Sequence, residues 1–336
     1  MSGNETQKQA VVYSQNPEAN ALFLKAREYF NNRDPRTGGA LANAREAIKL
    51  YEQAVKADPQ FALAFVEFSR AWMTLGFSNP DGMTNRELLP HAKAAALKAV
   101  ALGQKMSDAH LALAGIYYSI EFDWEGAERE FKLAIQLAPN SADAHGDYAS
   151  FLGAMGRFDE ALAEANKADE LMPSQGADFD LARIHYDMHR YDEASATIKR
   201  SLKEKGNMLG HFLLGFIYVA QHKYDEAIAE FKVDVGNNAG ALAALAYVYA
   251  MGGKKDEALK MLNDLEANHP GAKIVPYRIA AVYLALGDID QAIELLNKDY
   301  EVQDNWMNQL KVDPVMDPLR FDPRFQALLH KMKFKE

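Results

Sequence analysis

The chain has 336 residues, of which 49% are hydrophobic, and its formal net charge is −10. Such an acidic surface repels phosphate backbones, so nucleic acid is not an expected partner. The sequence has no cysteine, which excludes disulfides, thiolate metal ligands and cysteine nucleophiles. No uninterrupted apolar run reaches the roughly 18 residues of a membrane-spanning helix, so no span is expected.

The first predicted element is a polar N-terminal segment, residues 1–16. Its beginning lacks the apolar core of a signal peptide. We therefore expect a cytoplasmic protein, or a periplasmic one if a leader has been removed from a longer precursor.

A four-residue phrase built on Asp-Glu-Ala recurs five times between residues 158 and 292, with Asp-Gln-Ala in its last copy. The alanines that end the copies lie 33, 33, 31 and 34 residues apart, at Ala161, Ala194, Ala227, Ala258 and Ala292. Self-similarity at this period is typical of stacked two-helix units. It predicts five units, at 141–173, 174–206, 207–237, 238–271 and 272–303, and matches to the repeat pattern given below add three more, at 20–60, 61–105 and 106–140, about eight in all.

The fourth predicted unit shows the pattern of one repeat most clearly. Tyr148 and Leu152 are four residues apart and share the apolar face of a first helix. Gly156 is expected to end that helix, because glycine adopts the left-handed conformation most easily. Asp159 is expected to cap the second helix, whose apolar face begins at Ala161.

At these positions the chain resembles the tetratricopeptide repeat family, whose pattern is W-x2-L-G-x2-Y, then A-x3-F, then P. The third unit matches it with Ala114, Tyr117, Ala127, Phe131, Ala134 and Pro139. The resemblance implies an all-α, right-handed superhelical solenoid over residues 17–303. It also implies a protein-interaction module and no enzyme.

The first two units depart from the repeat by insertions between their helices. These insertions are residues 31–45 and 77–90, and both fall at the same turn of the repeat. They are expected to crowd one edge of the solenoid, where insertions in such folds are often used for binding.

Two histidines, His185 and His189, are four residues apart, a spacing that can place a metal pair on one helix. The repeat register favours another interpretation. His185 takes the slot of an inward-facing tyrosine, while His189 and His222 take the turn slot that glycine fills in other units. We therefore predict turn residues and no metal site.

Three other histidines, His110, His145 and His211, recur at the start of first helices, in the slot where the family has tryptophan. The repeat itself explains their recurrence. The sequence shows no Walker phosphate loop, no zincin pattern and no nucleophile elbow. We predict neither catalytic residues nor a cofactor.

The last 33 residues, 304–336, lose the repeat phrase. Each of three aspartate-proline pairs is expected to place a cap before the first helical residue, at 313–314, 317–318 and 322–323. A single apolar stripe follows, formed by Phe325, Leu328, Leu329 and Met332. The segment resembles the one that closes long bacterial tetratricopeptide arrays, which are often appended to winged-helix regulators, nucleotide cyclases or protein kinases. The expectation is a capping helix that covers the last repeat.

The family's concave groove is lined by the exposed side of each first helix. The residues at the equivalent positions of this chain form a candidate groove of aromatic and aliphatic side chains with two arginines. They are Val66, Arg70, Met73, Leu111, Tyr118, Phe179, Arg183, Tyr186, Phe212, Phe216, Tyr247 and Tyr277. Some members of the family bind acidic chaperone tails through a clamp of lysine and asparagine, and the corresponding positions of this chain do not hold that pair. The groove suits a partner helix or extended segment with apolar anchors.

Two alternatives stay open at the level of the sequence. The chain could be an assembly scaffold whose edges, including the two insertions, make the contacts. It could also be a regulatory or sensor arm of a larger signalling system. Composition leaves the oligomeric state open.

Overall fold

The structure is a computed structural model that describes residues 13–31, 39–78, 85–172, 177–205, 208–233, 239–268, 276–303 and 305–334. These residues form helices and the turns between them, with no strand in the described ranges. The α-helices are α1 Pro17–Asn31, α2 Gly39–Ala57, α3 Ala62–Ser78, α4 Asn85–Leu102, α5 Ser107–Ile116, α6 Trp124–Leu137, α7 Ala142–Ala154, α8 Phe158–Leu171, α9 Ala177–Asp187, α10 Tyr191–Lys205, α11 Met208–Ala220, α12 Tyr224–Lys232, α13 Ala239–Met251, α14 Lys255–Asn268, α15 Pro276–Leu286, α16 Ile289–Val302 and α17 Pro323–Lys331.

Consecutive helices pack in pairs, from α1 with α2 to α15 with α16. The first helix of each pair also contacts the first helix of the next, so α1, α3, α5 and the following odd-numbered helices up to α15 form one continuous layer. A pair cannot bury its apolar face alone, and stacking the pairs buries a continuous core. The predicted all-α repeat solenoid is confirmed.

Five of the turns between paired helices follow one design. Gly156, Gly253 and Gly287 have φ angles of 78°, 78° and 86°, and His189 and His222 have φ angles of 59° and 60°. At each turn the residue's N–H donates to the carbonyl three residues back, and the next N–H donates to the carbonyl five residues back. The structure thus places both histidines in the left-handed turn slot that glycine fills elsewhere.

The cap that we predicted at Asp159 is wrong in its position. The residue before α8 is Arg157, whose side chain accepts no capping bond, and Asp159 lies inside the first turn. There it still stabilises the helix by facing the positive end of the helix dipole. Asp123 and Asp288 do cap α6 and α16, through the backbone N–H three residues ahead.

The two predicted insertions are shorter than expected. Helix α2 begins within 31–45, and α3 and α4 both extend into 77–90. Alanine and leucine favour helix in these stretches. The remaining parts, 32–38 and 79–84, lie outside the described residues, as do residues 1–12 of the predicted N-terminal segment.

Close approach between helices makes one glycine hard to replace. A Cβ added at Gly215 in α11 would lie 2.5 Å from Cε1 of the buried Phe231. We expect Gly215→Ala to lower the free energy of unfolding by about 1–3 kcal/mol, because the ring has to move within a packed core. Gly115→Ala is the matched control, since a Cβ there meets no described atom within 4 Å, and it should gain up to about 1 kcal/mol. Urea unfolding measures both changes, and equal effects would contradict this packing.

Candidate partner-binding site

The residues that follow α16 cross the layer of first helices. We call residues 305–322 the C-terminal strap; it contains the 3-10 helices Asn305–Gln309 and Pro314–Leu319. Gln309 Nε2 donates to the hydroxyl of Tyr118 at 2.8 Å, and the hydroxyl of Tyr277 donates to the Asp313 carboxylate at 2.8 Å. The strap therefore joins the π-helical turn Tyr117–Glu121 to α15.

Helix α17 follows the strap and contacts α16. Its predicted apolar stripe is buried, at Phe325, Leu328, Leu329 and Met332. Two of the three predicted aspartate caps are present, because Asp313 and Asp322 each accept from the backbone N–H two residues ahead. The prediction for Asp317 is wrong, since that residue lies inside a continuous 3-10 helix.

The chain end also reaches back to the third predicted unit. Trp124 Nε1 donates to the carbonyl of Met332 at 2.8 Å. The Trp124 ring stacks on Phe334, with ring centroids 4.6 Å apart, and Phe122 stacks on Tyr300 at 6.2 Å. The C-terminal residues thus connect α6 to the last helix pair, in addition to covering α16.

Between the strap and four first helices lies one apolar pocket. It brings together seven of the predicted groove residues, Phe179, Arg183, Tyr186, Phe212, Phe216, Tyr247 and Tyr277. The strap contributes Trp306, Asp313 and Val315 to its wall, and α15 contributes Arg278. The cavity volume is about 50 Å³. This is roughly a third of the volume of about 150 Å³ that admits benzene in an apolar protein cavity.

A buried charge cluster forms one side of the pocket. Arg183 donates to Asp187 at 2.9 Å and to Asp313 at 3.2 Å. Burial raises the pKa of Asp187 to about 7; the Asp313 carboxylate adds to the rise, and the Arg183 guanidinium opposes it. Two buried carboxylates share the partly buried cation of Arg183, which fixes the strap against α9.

Aromatic rings surround a second arginine. The guanidinium of Arg278 lies 4.4 Å from the ring centroid of Phe212 and 5.2 Å from that of Trp306. Phe212 and Phe216 also pack on the buried ring of Phe231, at 5.1 and 5.2 Å. The two phenylalanines are therefore partly core residues as well as pocket residues.

The other five predicted groove residues lie outside the pocket. Val66 and Leu111 are buried in the helix core, and Met73 packs on a separate core cluster at α4 and α5. Arg70 pairs with Glu67 and Asp108, and Tyr118 bonds to the strap. The structure does not bring these five together with the other seven.

Sequence reasoning missed eight pocket residues, namely Leu213, Ala243, Ala244, Arg278, Ala281, Trp306, Asp313 and Val315. Arg278 follows a predicted groove residue directly, so the register could have suggested it. For the strap residues, the sequence indicated only that they lie outside the repeats. Local sequence patterns do not show where such a segment packs.

The recurring histidines at helix starts join paired helices. Nδ1 of His110 lies 2.7 Å from the Glu130 carboxylate, and Nδ1 of His211 lies 2.6 Å from that of Glu230; His145 and Glu164 form the same contact. These bonds connect a first helix to its own second helix. No group of metal-binding side chains occurs among the described residues.

The raised pKa of Asp187 gives a pH dependence with a definite sign. A carboxyl whose folded pKa lies above its unfolded value stabilises the fold fully below the unfolded pKa, roughly 4. That contribution is lost as the pH rises through about 7. We expect Asp187→Asn to flatten the decrease in unfolding free energy between these pH values in urea titrations. An unchanged slope would contradict the assignment.

Comparisons with known proteins agree with this geometry. The tetratricopeptide repeat profile matches residues 179–241 and 243–301. The search of curated proteins found no match. Yeast Tom70 superposes with a TM-score of 0.56 at 16% identity, covering 95% of this chain and 69% of that one. A chain of the APC/C hetero-tetramer Cut9–Hcn1 gives 0.56 at 18% identity, covering 93% and 55%.

A tetratricopeptide repeat protein from Parabacteroides merdae gives a TM-score of 0.54 at 12% identity, covering 82% of this chain and 99% of that one. The fold and the stacked pairs define a helical repeat protein of the interaction-module class. Residues 179–241 and 243–301 are tetratricopeptide repeats. In the part of the chain that the structure describes, no helix is long and apolar enough to span a membrane.

Proposed function

We propose that the protein binds an extended or helical segment of a protein partner on the concave side of α9, α11, α13 and α15. The observation that carries this proposal is the apolar pocket at which seven predicted groove residues meet. Aromatic side chains and arginine dominate binding energy at protein interfaces, and they act best in well-packed pockets. An apolar side chain of the partner would enter the pocket as the anchor.

The test needs a change that fills the pocket and keeps the rings of Phe212 and Phe216 in place. Replacing Phe212 or Phe216 by alanine is unsuitable, because both rings also pack on Phe231. Ala244 lines the pocket and is buried, so Ala244→Val fills the space with two more carbon atoms. The matched control is Ala101→Val at an exposed position on α4.

Binding peptides would be selected from a random peptide display library against the wild-type chain, and their Kd values measured by fluorescence anisotropy. We expect selected peptides to share apolar anchors and to bind Ala244→Val about tenfold more weakly or worse, a loss of at least about 1.4 kcal/mol. The Ala101→Val chain should bind as the wild type does. Equal affinity for Ala244→Val and wild type would contradict the proposal, as would a library that yields no specific binder.

A further inference from the structure

The strap presents three kinds of side chain to the pocket. Trp306 supplies an aromatic ring, Val315 an aliphatic group and Asp313 a carboxylate. The carboxylate is the acceptor for the Tyr277 hydroxyl at 2.8 Å and for Arg183 at 3.2 Å. A chain segment with an acidic residue between large apolar residues therefore already occupies part of the groove.

The volume that remains is too small for a partner segment with bulky anchors. About 50 Å³ holds a small aliphatic group, whereas an aromatic ring needs a cavity nearer to 150 Å³. The walls contributed by first helices belong to packed pairs, and the strap wall rests on two short 3-10 helices. The groove becomes large enough only if the strap moves away from it.

Departure of the strap would leave buried donors that need a new acceptor. The Tyr277 hydroxyl loses the Asp313 carboxylate as its acceptor, and Arg183 keeps only Asp187. Buried donors without a partner are costly. An incoming segment that carries a carboxylate at this point restores the lost bonds, and an entirely apolar segment does not.

The strap is also folded on itself. Arg320 donates to the carbonyls of Leu310 at 3.2 Å and Asp313 at 2.9 Å, and it bonds to the carbonyl of Lys311. These bonds lie within the strap and do not depend on the repeats. The strap can therefore leave the groove as a unit while its own hydrogen bonds persist.

We propose that the C-terminal strap is an intramolecular occupant of the partner groove and that a segment of a protein partner replaces it there. This partner segment has the same chemistry as the strap, an acidic residue between large apolar residues. This inference rests on the proposed function, because it specifies what the groove binds and how access is controlled. Arg183 and Tyr277 are the donors that bind the carboxylate of the strap or of the partner segment.

The probe is a fluorescein-labelled synthetic peptide with the sequence of residues 305–322, together with the same peptide carrying Asn in place of Asp313. Full-length wild-type, Asp313→Asn and Gln309→Ala chains are titrated by anisotropy. Gln309→Ala removes only the bond to Tyr118, so it serves if Asp313→Asn folds poorly. Hydrogen exchange over residues 305–322 of the wild-type chain, with and without peptide, reports whether the strap leaves.

We expect the peptide to bind Asp313→Asn about tenfold or more tightly than wild type, because the competing strap has lost its carboxylate. The Asn peptide should bind that chain about tenfold more weakly than the Asp peptide. Saturating peptide should raise exchange of the strap in the wild-type chain. Equal affinity of the three chains, no binding to any chain, or equal affinity of the two peptides would overturn the inference.

The two proposals fail in distinguishable ways. If the library peptides bind the Ala244→Val chain weakly but do not change hydrogen exchange in the strap, the proposed function is supported and this inference is overturned. A library without any specific binder would contradict the proposed function and this inference with it, whereas equal affinity of the strap peptide for the three full-length chains would overturn this inference alone.

Discussion

Replacing Trp124 with alanine is expected to lower the free energy of unfolding by about 3–5 kcal/mol and to release the chain end from the repeats. The Trp124 ring stacks on Phe334 and packs on Phe122 with centroids 5.6 Å apart, while its N–H holds the carbonyl of Met332. The substitution removes a buried aromatic from the contact between α6 and the C-terminus. Urea unfolding gives the stability change, and hydrogen exchange over 323–334 gives the release.

A second tryptophan provides the control for this prediction. Trp72 stacks on His91 at 4.6 Å in the N-terminal part of the solenoid, far along the chain from the C-terminal contacts. We expect Trp72→Ala to reduce stability as well, but to leave exchange over 323–334 as in the wild type. If Trp124→Ala leaves that exchange unchanged too, the C-terminus does not depend on the Trp124 contact.

Replacing Arg183 with methionine is expected to lower the unfolding free energy by about 3–5 kcal/mol near neutral pH. The substitution leaves the Asp187 and Asp313 carboxylates buried without their shared cation, and removing one partner of a buried ion pair has an effect of this size. The loss should shrink as the pH falls, because protonation of Asp187 removes one of the two charges. Urea unfolding at several pH values measures both effects.

The exposed ion pairs of Arg324 give the matched comparison. Arg324 bonds to Asp290 and Asp322 on the surface, and exposed pairs contribute little to stability. Arg324→Met should therefore leave the unfolding free energy nearly unchanged at every pH. A similar result for Arg183→Met would show that the charge cluster does not fix the strap.

The sequence was most informative where structure is local. The turn role of His189 and His222 follows from a slot that glycine fills in other units, and a left-handed turn depends on only a few neighbouring residues. The apolar stripe from Phe325 to Met332 likewise follows from helical spacing. Such features repeat in register, so one unit helps to interpret the next.

The repeat pattern could not predict contacts between residues that are far apart in the sequence. Tyr118 and Gln309 are 191 residues apart in sequence, and Trp124 and Met332 are 208 apart. No periodic signal relates such positions, because the strap lies outside the repeat. The groove prediction consequently included residues of α9 to α15 that line the pocket, and it missed the strap that crosses them. It also assigned Val66 and Leu111 to the groove, although packing of neighbouring helices buries them.

The central claim is that the C-terminal strap lies on the first helices at α9, and one distance measurement tests it most directly. The chain has no native cysteine, so Arg190→Cys and Phe321→Cys place spin labels uniquely at two exposed positions, the second 96% exposed. Arg190 lies at the surface beside strap residues Asp317 and Arg320. Pulsed dipolar spectroscopy should give a single, narrow, short distance that does not change on dilution. A broad distribution at long distances would contradict the account.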